Sequence, residues 1–262
     1  MTGASATPEP IGASGPEDLR CALRVLREAR WIDLTHPFAP GIPHYAGFPD
    51  ERRERLSDYG EGGFRTHLYS LVGQWGTHVD APSHFDAAGT TLDDLPVREM
   101  LLELVVLEAR SEVAADPDYV AGPELIERHE SRHGRIPAGA FVALRTGWSA
   151  RWPDREAIAN GGHSPGWSVA ALRELIERRD VAAVGHEQTD TDPGLQVAAG
   201  RTDAEAYVLL AGRWQIELLA GLEQVPSCGA LLLASWPRPA GGSGFPARCV
   251  AIAPQAGSPP SC

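Results

Sequence analysis

Hydrophobic positions change their period along the chain, and each change marks an element. Over residues 16–30, Leu19, Leu23, Leu26 and Ala29 recur at helical spacing with charges between them, which predicts a short amphipathic helix packed on the body or on a second subunit. Residues 31–34 read as a strand, after which Pro37, Pro40, Gly41 and Pro43 force an irregular loop through Tyr45. Residues 64–72 are rich in aromatic and β-branched side chains and predict another strand. Apolar runs at 101–107 and 140–144 predict buried strands, with a further strand at 181–184. Helices are expected between them: 123–134 opening on Pro123, 168–179 capped by Ser168, and 203–211 capped by Asp203. Residues 214–219, 231–234 and 249–253 close the pattern as strands, the last two joined by a Gly/Pro loop. Strands alternating with helices, and several late strands, predict an α/β fold with a mixed sheet and flanking helices.

Composition adds limits rather than detail. The chain has 262 residues, 43% hydrophobic and 22% charged, enough for a single large domain over 17–253. The Gly, Ala, Ser and Pro content of residues 1–16 predicts a disordered arm, and 254–262 a flexible tail. A net charge of −12 excludes nucleic acid as a partner. All 23 basic residues are arginine, which reflects compositional bias rather than function. No apolar run reaches the ~18 residues a bilayer requires, and the first residues lack a signal-peptide pattern, so the expected location is cytoplasmic. Cys21, Cys228, Cys249 and Cys262 are scattered, as expected of free thiols.

The chemistry concentrates in residues 74–85, Gln-Trp-Gly-Thr-His-Val-Asp-Ala-Pro-Ser-His-Phe. On an extended backbone His78 and Asp80 point to one face. Pro82 cannot continue the ladder, so the chain turns there and swings His84 back toward them. Two imidazoles and a carboxylate beside a chain reversal suit a metal ion with an attendant acid/base, although a lone strand histidine is usually structural. His36 and His44 are read as structural. His129 and His133, four apart on a helix, are read as solvated surface. Gly185-His186-Glu187 leaves a strand's C-terminal end, where α/β sheets bind ligands, so His186 and Glu187 are candidate neighbours of the site.

From Gly76 to Phe85 the chain resembles the signature of the cyclase-like metal hydrolase family, which includes bacterial kynurenine formamidases and isatin hydrolases. The family pattern is His-x-Gly-Thr-His-x-Asp-x-Pro-x-His. The segments beginning at Trp31, Ala143, Val184 and Ile216 match in the same order, so the resemblance spans about residues 31–252. It implies a layered β/β/α fold and a homodimer or higher homo-oligomer in which loops of one subunit close the other's site. It also implies a metal held by residues at positions 74, 78, 80, 205 and 217, with His84 as acid/base and Tyr45 against the substrate. His78, Asp80 and Glu217 stand as the pattern requires, whereas Gln74 and Glu205 replace histidines. The ligand set becomes one nitrogen and four oxygens, which favours Mn or Mg over Zn. Asp80, Glu205 and Glu217 gathered together would need a cation or a bound proton.

The leading expectation is a metal-dependent hydrolase of an amide, lactam or ester carbonyl in a small aromatic or polyketide-like molecule. Metal-activated water would attack, His84 would move the proton, and Tyr45, Trp75 and Trp167 would offer flat walls. Two alternatives stand beside it. One is a metal-free or weakly metallated cyclase or dehydratase of secondary metabolism using His84 with Glu187 or Glu217. The other is a non-catalytic binding protein on the same scaffold. The cofactor is accordingly a divalent ion (Mn or Zn, with Mg also admitted) or none.

Overall fold

Residues 104–107 carry an apolar side chain at every position, so the strand they form needs cover on both faces. The computed structural model describes residues 15–255, and the expected arm and tail lie almost entirely outside them. Its strands are β1 (Arg30–Asp33), β2 (Arg52–Ser57), β3 (Thr66–Ser70), β4 (His78–Asp80), β5 (Leu101–Glu108), β6 (Val120–Ala121), β7 (Phe141–Arg145), β8 (Gly166–Trp167), β9 (Ala183–His186), β10 (Trp214–Glu217), β11 (Ala230–Ser235), β12 (Gly244–Pro246) and β13 (Arg248–Ala253). Its helices are α1 (Pro16–Glu28), α2 (Tyr59–Gly62), α3 (Arg110–Ala115), α4 (Pro123–His133), α5 (Arg155–Ala159), α6 (Val169–Arg179), α7 (Gly194–Ala198) and α8 (Asp203–Leu210).

Nine strands form one mixed sheet in the order β1-β13-β11-β5-β7-β9-β10-β4-β12. Neighbours from β5 to β10 run parallel, and the flanking pairs are antiparallel. Val105, Val142 and Val184 face α4, α6 and α8, where they meet Leu125, Leu172 and Val208. The alternate residues Leu104, Val106, Phe141 and Ala183 enter a second core fed by all nine strands and their loops, with no α-helical residue among its buried members. The sheet therefore curls and covers itself on that side, giving the β/β/α layering that the resemblance implied.

Several elements differ from expectation for identifiable reasons. The strand expected at 64–72 shortens to β3 and pairs with β2 in a separate two-stranded ladder. β2, Arg-Arg-Glu-Arg-Leu-Ser, is exposed at five of its six positions and so lacks any apolar alternation to announce it. In α1 no residue is buried, and Leu19, Leu23 and Val25 stay exposed, so its stripe does not pack on the body of this chain. Ser168 caps α6 as expected, accepting from the Ala171 amide at 3.0 Å. The cap of α8 is different. Asp203 becomes its first residue, and the buried Asp192 accepts from the Ala204 and Glu205 amides at 2.8 and 3.0 Å. A distant carboxylate that satisfies two orphan donors displaces the local candidate. Cys21 and Cys249 are free, whereas Cys228 is disulfide-bonded, against the expectation for it.

Two imidazoles give the fold a pH dependence. His36 is buried and stacked on Trp152 at 4.2 Å between ring centroids, a structural role as expected. His129 is also buried rather than solvated. Burial lowers the pKa of both to about 4, with His133 adding to the effect at His129. An unfolded histidine titrates near 6.5. Between those values the unfolded chain binds more protons, so stability is retained above about 6.5 and lost as pH falls toward about 4. Urea unfolding across that window should show each contributing about 1.4 kcal/mol per pH unit. His129→Asn should flatten the dependence by one proton's worth, and an unchanged slope would refute the assignment.

Candidate active site

β4 pairs on both sides, and its register builds the site. Glu217 of β10 lies opposite His78, Ile216 opposite Val79, and Gln215 opposite Asp80. Val79 and Ile216 enter the inner core, so the pleat turns His78, Asp80, Gln215 and Glu217 together onto the other face. His78 Nε2 lies 3.4 Å from Asp80 Oδ2 and 3.5 Å from Glu217 Oε2. One ligand atom from each of the three falls within 4.8 Å of the others, and all three residues are buried. As expected, Pro82 ends the strand, and a 3-10 turn over Pro82–His84 carries His84 back to the same cavity. There its Nε2 stands 3.9 Å from Glu205 Oε1.

The two departures from the family pattern sit in the same place. Glu205 projects from the first turn of α8, which Asp192 holds by its cap. The Gln74 amide donates to Asp80 Oδ1 at 3.1 Å. Gly244 of β12 makes that possible, because a Cβ there would overlap the Gln74 amide and crowd Asp80. Gln74, His78, Asp80, His84, Glu205 and Glu217 all border one cavity of about 200 Å³. Tyr45 borders it too, its ring 5.2 Å from that of Phe48.

Electrostatics point to a cation. Burial first, then Glu217 and Asp80, pushes Glu205 up to about 10. Burial also raises Glu217 well above the carboxylate range, against the pull of His78. At His78 burial favours the neutral form, but Asp80 and Glu217 outweigh it and raise the ring to about 9. Burial works against ionised Asp80, yet His78, His84 and Gln74 keep it below its usual value. Fully ionised, the cluster would carry more negative charge than its imidazoles neutralise, so burial and repulsion favour protons on Glu205 and Glu217. A divalent ion relieves the same excess, and one imidazole nitrogen among carboxylate oxygens is a donor set that fits Mn, Mg or Zn.

Behind these groups lies a buried polar chain that the sequence reading missed. Neutral His186, whose pKa burial lowers to about 4, contacts Thr191 Oγ1 at 3.0 Å through Nε2. Thr191 donates to Gln215 Oε1 at 2.8 Å. Gln215 Nε2 then lies 3.3 Å from Asp80 Oδ2, 3.3 Å from Glu205 Oε1 and 3.2 Å from Glu217 Oε1. The legible signal was the alternation of Gln215 with Glu217, two apart on one strand face. Asp190, which also borders the cavity, gave no signal.

Other expected site residues are placed elsewhere. Glu187 is buried, and Thr146, Gly147 and Ser149 consume its oxygens: the two backbone amides donate at 2.6 Å, the Thr146 hydroxyl at 3.0 Å and the Ser149 hydroxyl at 2.5 Å. It holds the turn after β7 and does not border the cavity. Trp167 lies in the helix-side core. Trp75 is fully buried and backs His44 at 4.5 Å. His186 sits behind Glu217 rather than at the wall. His44, read as structural, borders the cavity instead. A larger cavity of about 780 Å³ touches His36, Arg53 and Arg248 but none of the converging groups, so chemistry and not volume selects the site.

Comparison with known proteins agrees with this geometry. Residues 32–193 match the family model described as Putative cyclase. Isatin hydrolase of Roseibium aggregatum is 31% identical over 248 residues, 87% of this chain and 94% of that protein. A kynurenine formamidase of Bacillus thuringiensis is 25% identical over 116 residues, 42% of this chain and 56% of the other. The structure of isatin hydrolase A from Labrenzia aggregata bound to benzyl benzoate matches with a TM-score of 0.84 at 32% identity, over 90% of this chain and 99% of that one. A curled mixed sheet, a His-x-Asp strand at its polar face and matches of this extent lead to one conclusion: the chain belongs to the cyclase family and is an enzyme of it.

Proposed function

We propose that the protein hydrolyses the bond between the carbonyl carbon and nitrogen of an amide or lactam in a small aromatic molecule, giving a carboxylate and an amine, using a divalent ion held by His78, Asp80 and Glu217. The observation that carries this reading is the β4–β10 register, which gathers those three side chains. Two of the relatives are named for isatin and kynurenine, both aromatic compounds. Glu205 borders the trio as a further oxygen donor, while Gln74 turns its amide nitrogen to Asp80; the oxygen-rich set favours Mn or Mg over Zn. When bound, such an ion lowers the pKa of water from about 16 to near 7 and polarises a carbonyl.

The chain's own residues perform the remaining work. His84 faces the cavity with its side chain 25% exposed, so its ring carries a proton between the leaving nitrogen and solvent. Tyr45 and Phe48 present apolar faces to an aryl ring. Gln215 keeps the three carboxylates at fixed separation, so the pocket does not reorganise as charge develops. For the assembly, we propose a homodimer that covers the exposed stripe of α1 and the exposed Leu56 and Leu68 of the β2–β3 ladder.

Elemental analysis of mildly purified protein should find a stoichiometric divalent ion. A screen of isatin, N-formylkynurenine and simple aryl amides, with and without added Mn²⁺, should find turnover that chelation abolishes. Full activity in verified metal-free protein would transfer the assignment to cyclase or dehydratase chemistry. Glu217→Ala should lose both ion and activity. His84→Ala should keep the ion while kcat falls about 10²–10⁴-fold; wild-type turnover in that variant would remove His84 from the mechanism. Light scattering should report a dimer that Leu19→Glu with Leu23→Glu dissociates, and an unchanged mass would exclude α1 from the interface.

A further inference from the structure

The cavity at the converging carboxylates, about 200 Å³, is smaller than the roughly 300–1,000 Å³ usual for a small-molecule site. A second cavity of about 270 Å³ abuts it, and the two share His44 and Thr189 as common walls. Pro43, Ala46, Ile158 and Ala159 make the second chamber largely apolar. Taken as one site with two chambers, the volume enters the usual range.

The chambers differ in charge. Asp80, Asp190, Glu205 and Glu217 border the first. Among the described residues Arg155, at the start of α5, is the one arginine that borders either chamber, and the chain contains no lysine. Its present partners are replaceable. Nη1 lies 3.3 Å from Asp50 Oδ2, with both side chains nearly half exposed at 47% and 46%. Nη2 lies 3.5 Å from His44 Nε2. Exposed pairs of this kind add little stability, and a guanidinium donates two parallel hydrogen bonds to a carboxylate across its planar fork. Glu156 also borders the chamber, so it and Asp50 temper the gain. The His44 ring is held at the junction by Nδ1 donating to the Ile42 carbonyl at 2.8 Å and by its contact with Trp75.

We propose that the enzyme takes a two-lobed substrate. Its reacting carbonyl occupies the carboxylate-lined chamber, and its other end, an apolar ring or chain bearing a carboxylate, passes His44 and Thr189 to reach Arg155. The negative field of the first chamber and the positive end of the second fix which lobe enters which. The assignment of the reacting lobe rests on the hydrolase reading; the recognition of the distal lobe does not need turnover.

Calorimetric titration of the metal-loaded, full-length protein with 4-benzoylbenzoate and the neutral 4-acetylbenzophenone tests it, because neither ligand carries an amide, lactam or ester bond to hydrolyse. The carboxylate should bind about fivefold to tenfold tighter than the neutral diketone. Arg155→Ala should erase that preference while leaving the diketone's affinity within about twofold, and Arg155→Lys should restore part of it. Ala159→Trp, with an unchanged melting temperature as a fold control, should weaken both ligands by blocking the second chamber. Equal affinities in the wild type, a preference that survives Arg155→Ala, or undiminished binding to Ala159→Trp would overturn the proposal. Failure of the wild type to turn over any aryl amide would instead defeat the hydrolase reading and leave this binding result intact.

Discussion

The antiparallel ladder between β4 and β10 sets Glu217 across from His78 and Gln215 across from Asp80. Side chains on a strand alternate with a period of two, so a slip of one residue would reverse every face. Val79 and Ile216 would then meet the polar cavity, and the carboxylates would enter the inner core. Both apolar residues are fully buried, each contributing about 1.5–3 kcal/mol through that burial. An ionised carboxylate driven into the same core would cost considerably more. The hydrophobic interior of the curled sheet therefore enforces the register on which the chemistry depends.

Gathering these carboxylates has its own cost, and the surrounding structure is built to bear it. The Gln215 amide serves Asp80, Glu205 and Glu217, and is itself oriented by Thr191 and, through it, by His186. Asp192 pins the first turn of α8, which fixes where Glu205 projects. Each support is buried and hydrogen-bonded, as a low-dielectric polar network must be. In the proposed function the stored repulsion becomes affinity for a divalent ion, since the ion replaces protons that the cluster would otherwise hold. Stability and function meet in one electrostatic problem.

The sequence disclosed what depends on local geometry. His78, Asp80 and His84 were legible because strand alternation and the turn at Pro82 act within a few residues. The parallel strands β5, β7 and β9 were legible from the apolar runs at 104–107, 140–144 and 181–184. Long-range competition hid the rest. Glu187 follows a strand end as a site residue would, but the turn after β7 claims its oxygens. Trp167 was drawn into the helix side of the fold by packing that no periodicity records, whereas His129 is buried at helical spacing from Leu125 and Ile126. The cap of α8 came from Asp192 on another loop, and the charged strand β2 carried no apolar pattern to find. Glu217 was reached only through family resemblance, since nothing local pairs it with His78.

Anomalous diffraction at the manganese edge, from crystals of protein loaded with one equivalent of Mn²⁺, tests the central claim most directly. One peak is expected at coordination distance from His78 Nε2 and from the Asp80 and Glu217 carboxylates, bridging β4 and β10. A fully loaded crystal whose single peak lies away from that pair of strands would contradict it.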